Sequence, residues 1–224
     1  MGRARLHRLD ALRGLSVALM VIHHLLYDLV LLFGAPGWLF WNPLFAAGHY
    51  LFAGIFVALS GMCCRFSRSN GRRGARLLAV AMALTAVTRA AGFPIHFGIL
   101  HLLSVCMLLY ALVGRWTDRL PEAVHTGAFF LSLLWLKATS LRSPLLWVLG
   151  LPWPGMVSYD YFPLLPWMFL FFAGARLGGW AQRWQFAQLR PTALSRLGRQ
   201  ALPVYLLHQP VLFALLVPLR TLMG

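Results

Sequence analysis

The sequence predicts an all-α integral membrane protein, a polytopic bundle of about seven transmembrane helices with a cytoplasmic N-terminus and an extracytoplasmic C-terminus, forming one membrane domain over residues 1–224. Three observations predict it. The composition is 60% hydrophobic and 11% charged, with a mean hydropathy of +0.71, too apolar for a water-soluble domain of this length. Apolar runs of about 18 to 25 residues, enough to cross a bilayer as helices, recur along the whole chain. The basic residues behind the net charge of +15 fall almost wholly on alternate connections between those runs.

The first run, 12–33, follows a basic stretch. At about 20 residues it exceeds the apolar core of a signal peptide and lacks a small-x-small cleavage site, so it is expected to persist as a mature helix. The second, 44–64, ends in Cys63 and Cys64, and the third, 77–92, is the shortest. The fourth, 97–114, contains Cys106. The fifth covers 123–140, and the Pro-rich connection LGLPWPGM leads to the sixth at 163–179. The seventh spans 200–219. Three cysteines so placed give no disulfide framework and read as apolar filler. The chain shows no metal-ligand spacing, phosphate-cradling glycine loop or nucleophile elbow.

Orientation follows from the basic residues. With the N-terminus inside, the inner side collects Arg3, Arg5, Arg8 and Arg13, then Arg65, Arg68, Arg72, Arg73 and Arg76, then Arg115 and Arg119, and finally Arg176, Arg183, Arg190, Arg196 and Arg199. Arg89, Lys137, Arg142 and Arg220 remain outside. Topology and attraction to anionic headgroups account for the positive charge without a nucleic-acid partner. Trp38, Trp41, Trp147 and Trp153 read as an interfacial belt.

Polar residues at membrane depth are where function is expected, since an Asp at the centre of a membrane helix costs roughly 2.5 to 3.5 kcal/mol on insertion scales. Asp28 follows His24 by four residues in LMVIHHLLYDLVLLF, a spacing that puts both side chains on one helical face. His24 lies eleven residues past Arg13, roughly 16 Å along the helix and near the midplane. Tyr205, His208 and Gln209 reach a similar depth on the last helix. His101 enters from the opposite side, and Arg89 is a natural counter-ion for Asp28 or Asp160. Together these residues are expected to line one cavity open to the outside. The plainer alternatives are hydrogen bonding between helices for His23, His49 and Gln209, solvated interfacial positions for His7 and His125, and a cap for the following helix at Asp160.

A His with a carboxylate one turn away suits general-base catalysis, the Asp orienting the ring and stabilising the imidazolium. Without a Ser or Cys nucleophile beside it, the pair fits a reaction in which the acceptor itself attacks. Arginines on the inner side, Arg68 and Arg72 among them, match the phosphates of a large anionic donor. Two other classes stay open. A membrane haem protein would use His24, His101 and His208 as axial ligands. A proton-coupled transporter or flippase would use His24, Asp28 and Arg89 as a relay, although no internal repeat is evident.

Several segments add a resemblance: RLDALRGLSVALMVIHHLLYDL at the start, FVALSG at 56–61, FGILHLLSVCMLL at 97–109, DYFPLLPWMFLFFAGARLG at 160–178 and GRQALPVYLLHQPVL at 198–212. In this order they resemble the bacterial membrane proteins of the heparan-α-glucosaminide N-acetyltransferase catalytic-domain family. The related membrane acyltransferase type 3 family carries an Arg near the start of its first helix and a His about three turns later, a pattern that Arg13 and His24 match. The resemblance implies a multi-pass protein of the cell (inner) membrane that moves an acyl group from cytoplasmic acetyl-CoA, or another acyl-CoA, to an extracytoplasmic sugar or glycan. It implies no permanently bound cofactor. In that reading His24 is the base, Asp28 its orienter, and Arg13 with its i,i+3 partner Asp10 sits where the donor enters. His101, Asp160 and His208 shape the acceptor cavity. Better-known members have ten or eleven membrane helices, so the shorter chain fits a minimal core, a homodimer sharing a site or a changed function.

Overall fold

The computed structural model describes residues 7–183 and 191–223. Arg3, Arg5 and Arg190, sorted above to the inner side, lie outside the described residues, as does the side chain of Arg183. Helix dominates, and among the described residues there is no strand, only an isolated parallel bridge between Phe97 and Tyr161.

Each predicted apolar run is a helix. They are α1 (His7–Phe33), α2 (Pro43–Cys64), α3 (Asn70–Ala90), α4 (Ile99–Thr117), α5 (Glu122–Ala138), α6 (Leu164–Arg183) and, after the short α7 (Ala193–Arg199), α8 (Ala201–Met223). Among the described residues, five segments are long and apolar enough to cross a membrane: His7–Phe33, Gly37–Cys64, Ile99–Thr117, Leu164–Ala181 and Ala201–Leu222. The chain is thus an all-α membrane protein. The two remaining helices differ from the expectation for physical reasons. Arg72, Arg73 and Arg76 occupy the first turns of α3 and shorten its apolar part, while α5 has 17 residues, roughly 25 Å of helix. The sequence reading missed α7, whose seven residues carry two arginines and no apolar run.

Local chemistry sets the helix ends. Asn42 caps α2 by accepting the amide of Phe45 at 2.7 Å, with Pro43 just inside the first turn. α3 closes in a Schellman motif: Phe93 N–H reaches Thr88 O at 2.9 Å and Gly92 N–H reaches Arg89 O at 3.2 Å, with Gly92 at φ +83°. At the start of α7, Thr192 and Ser195 exchange reciprocal side-chain to amide bonds at 2.9 and 3.1 Å.

The chain divides into two compact units. The first comprises 1–56 and 183–224, the second 57–182. In the first, α1 packs against α7 and α8. A Cβ at Gly14 would sit 2.0 Å from Leu194 O and one at Gly198 only 1.8 Å from Asp10 O, so the two backbones touch where only glycine fits. In the second unit, glycine plays the same part between α2 and α6: a Cβ at Gly61 would meet Phe171 O at 1.9 Å and one at Gly174 would meet Ala58 O at 2.0 Å. Exposed faces remain apolar, with Leu44, Leu131, Leu145 and Leu222 all outward, as a lipid surround requires.

At one end of the second unit Asp118 is a hub. Its carboxylate pairs with the Arg65 guanidinium and accepts the Tyr110 hydroxyl at 3.0 and 3.1 Å, while Arg176 donates to its backbone carbonyl at 2.7 Å. The C-terminal ends of α2 and α4 therefore meet at one face. At the other end, residues 93–98 are stitched to 158–162 by the Tyr159 amide on Pro94 O at 3.0 Å and the Phe162 amide on Phe97 O at 2.8 Å.

Candidate functional site

In the first unit, α1 and α8 bring together His24, Asp28, Tyr205, His208 and Gln209. His24 lies in the second half of α1, with Nδ1 2.9 Å from the Met20 carbonyl. A carbonyl only accepts, so Nδ1 carries the proton and a neutral ring presents its lone pair at Nε2. His208 repeats this arrangement, its Nδ1 lying 2.6 Å from Tyr205 O. The two rings meet edge to face with centroids 4.7 Å apart and planes at 74°. Tyr205 flanks His208, ring centroids 5.9 Å apart.

Asp28 is fully buried. Gln209 holds it, donating through Nε2 to both carboxylate oxygens at 3.0 Å. The expected orienting bond from Asp28 to His24 is not what the fold builds: the Met20 carbonyl fixes the ring, and the carboxylate goes to α8. Asp28 lies one helical turn beyond His24 on α1. Arg89, in the second unit, is exposed at the end of α3.

Beside this set, His23 stacks on His49 with centroids 4.4 Å apart and on Phe45 at 5.1 Å. These two histidines, read above as helix-to-helix glue, hold α1 to α2 through ring contact. Near the start of α1, Arg13 Nη1 donates to Asp10 Oδ1 at 3.5 Å, the predicted i,i+3 pair.

The second unit holds the other expected residues. Asp160 Oδ2 accepts the Ile99 amide at 3.0 Å, capping α4 from the connection before α6. It caps α4, not the helix that follows it. A Cβ at Gly98 would lie 2.2 Å from that oxygen, so glycine is what admits the carboxylate. His101 closes the same corner. Gly98 N–H donates to its Nδ1 at 3.3 Å, leaving the proton on Nε2, which donates to Thr85 Oγ1 at 3.3 Å, and Thr85 donates onward to Ile95 O at 2.7 Å. His101 and Asp160 thus have their polar groups committed to holding α3, α4 and the preceding connection. Nearby, the Tyr161 hydroxyl donates to Trp147 O, and burial pushes this phenol up to about 12, so it stays a donor across the physiological range. Arg68 and Arg72 stand exposed around the N-terminus of α3. Among the described residues, no group of three or more His, Cys, Asp or Glu side chains is placed to hold a metal ion.

The sequence signature described as heparan-alpha-glucosaminide N-acetyltransferase, catalytic, matches residues 5–210. The chain belongs to this family. As a heparan-alpha-glucosaminide N-acetyltransferase catalytic-domain protein it is a membrane-embedded acetyltransferase, a class whose donor is acetyl-CoA. A comparison with curated proteins finds no match, and neither does one with solved structures. The matched span of this acetyltransferase domain takes in every residue of the α1–α8 set, as well as the glycine crossings of both units. Sequence reading passed over Gln209 as interhelical glue and missed the Met20 carbonyl. The available sign was position alone, since Gln209 follows His208 at the depth of Asp28.

Proposed function

We propose that this family member transfers an acetyl group from cytoplasmic acetyl-CoA to an amine or hydroxyl of an extracytoplasmic sugar, as a seven-span protein of the cell (inner) membrane with its N-terminus inside. The observation that supports the reading is the fixed tautomer of His24: with Nδ1 bonded to Met20 O at 2.9 Å, Nε2 is the basic atom. Nε2 takes the proton as the acceptor nitrogen or oxygen forms its bond to the acetyl carbonyl carbon. The carbon–sulfur bond then breaks, and the thiolate leaves with the proton returned by the imidazolium as CoA thiol. Asp28 lies one turn along the same helix from this ring. Arg13 is the residue proposed for the donor's phosphates, whose geometry a guanidinium group matches. His208 and Tyr205 belong to the acceptor side. His101, Asp160 and Arg89 have no part in this mechanism, the first two being hydrogen-bonded into a structural corner.

The test is thiol-detected CoA release from acetyl-CoA by purified protein, with and without a panel of amino sugars and glycan extracts, for the wild type and His24→Ala. Release that requires both acceptor and His24 is the expected result. Release that persists in His24→Ala removes the base from the mechanism. The haem reading finds no support in the geometry, because the rings of His24 and His208 touch at 4.7 Å with no gap for a macrocycle between them.

A further inference from the structure

Two neighbouring residues of α8 carry buried polar atoms without a partner among the described residues: Nε2 of His208 and Oε1 of Gln209. Both are hydrogen-bond acceptors, and each assignment follows from what lies on its other side. The Nδ1 of His208 donates to Tyr205 O at 2.6 Å, which leaves the lone pair on Nε2. The Gln209 amide nitrogen is 3.0 Å from both oxygens of Asp28. An ionised carboxylate only accepts, so the nitrogen must face it and Oε1 must face away. Buried acceptors are normally satisfied, and two adjacent ones left open call for a donor from outside the protein.

We propose that Gln209 Oε1 and His208 Nε2 receive the N–H or O–H groups of the acetyl acceptor, and that Asp28 is a positioning residue that locks the Gln209 amide with its oxygen toward that acceptor. This rests on the acetyltransferase reading above. It gives a second reason for a carboxylate inside a membrane helix, where a neutral residue is cheaper. An apolar residue at position 28 leaves the amide free to turn, and an amide there offers Gln209 two equivalent pairings. Only a group that accepts and never donates dictates one orientation. The ring pair fits the same purpose, since His24, the base, lies edge to face against His208 at 4.7 Å and the acceptor's proton is bound beside the atom that takes it.

The test is steady-state kinetics of the full chain in detergent micelles, with acetyl-CoA as donor and D-glucosamine as acceptor. Asp28→Asn preserves a side-chain bond to Gln209 but lets the introduced amide donate to Oε1, turning the Gln209 nitrogen toward the acceptor. The expected result is a rise of about tenfold in the KM for glucosamine, the factor one hydrogen bond carries, with the KM for acetyl-CoA unchanged. Adding Gln209→Glu to Asp28→Asn restores an accepting oxygen, because the introduced amide occupies only one carboxylate oxygen, and returns the glucosamine KM most of the way. A purely structural role predicts the reverse order, since Asp28→Asn keeps a neutral pair across the helices. An unchanged glucosamine KM in Asp28→Asn, or no recovery in the double variant, overturns the inference. Should Asp28→Asn fail to fold, His208→Phe retains the ring and removes the accepting atom; a glucosamine KM equal to wild type in that variant overturns the inference as well. Absence of transfer by the wild type overturns the acetyltransferase reading and the inference with it, whereas transfer with an unmoved glucosamine KM overturns the inference alone.

Discussion

Gln209 on α8 donates to both carboxylate oxygens of Asp28 on α1, 3.0 Å from each. The fully buried carboxylate therefore depends on a residue 181 positions away in sequence. Gln209→Leu leaves that charge without its donor and is expected to lower stability by about 1.5–3 kcal/mol, the worth of a hydrogen bond to a charged group. Thermal unfolding in micelles checks it, and an unchanged midpoint would show that the bond contributes nothing.

His24→Ala is expected to reduce kcat by about 10²–10⁴-fold, the usual contribution of a general base. The Met20 carbonyl keeps its backbone partner in the helix, so circular dichroism and elution volume should match the wild type.

Glycine crossings give predictions of opposite sign. Gly174→Ala drives a Cβ to 2.0 Å from Ala58 O and should cost about 1–3 kcal/mol or prevent α2 and α6 from docking. Gly127, in the interior of α5, has nothing within 4 Å of its Cβ position. Gly127→Ala should raise stability by about 0.5–1 kcal/mol through helix propensity. Equal midpoints for the two variants would refute the close-contact account.

Asp118→Asn removes the ion pair with Arg65, whose side chain is 39% exposed. Water screens such a pair, so the expected loss is only about 0.2–1 kcal/mol. It should shrink as salt is raised. A loss that salt does not alter would assign the effect to the Tyr110 bond instead.

Asp160→Ala uncaps α4 and is expected to cost about 0.5–2 kcal/mol. Turnover per folded molecule should be retained. A collapse in kcat without loss of stability would return Asp160 to the acceptor side.

Much of this was legible because membrane solvent enforces simple rules. A backbone in lipid must satisfy its own hydrogen bonds, so a long apolar run can only be a helix, and all seven runs are. The segments that carry the family resemblance are those with the least freedom: Gly14 and Gly198 at one crossing, Gly61 and Gly174 at another, Asp160 at the cap of α4, and His24, Asp28 and His208 at the candidate site. What was not legible were the partners. Spacing of four put His24 and Asp28 on one face, but spacing says nothing about an acceptor at Met20 O or a donor arriving from α8.

The sequence by itself determined the solvent, the secondary structure and the acetyltransferase family, because each of these depends on composition, local periodicity or short motifs. Tertiary structure alone decided which partners the ionisable residues have: Asp28 bonded to Gln209, His24 to its own helix, His101 to Thr85 and Asp160 to the Ile99 amide. The physical reason is that a hydrogen bond has a range of about 3 Å and a direction. It is assigned only when distant stretches of chain have been brought to that distance by backbone contacts such as Gly14 against Leu194, which no local pattern encodes.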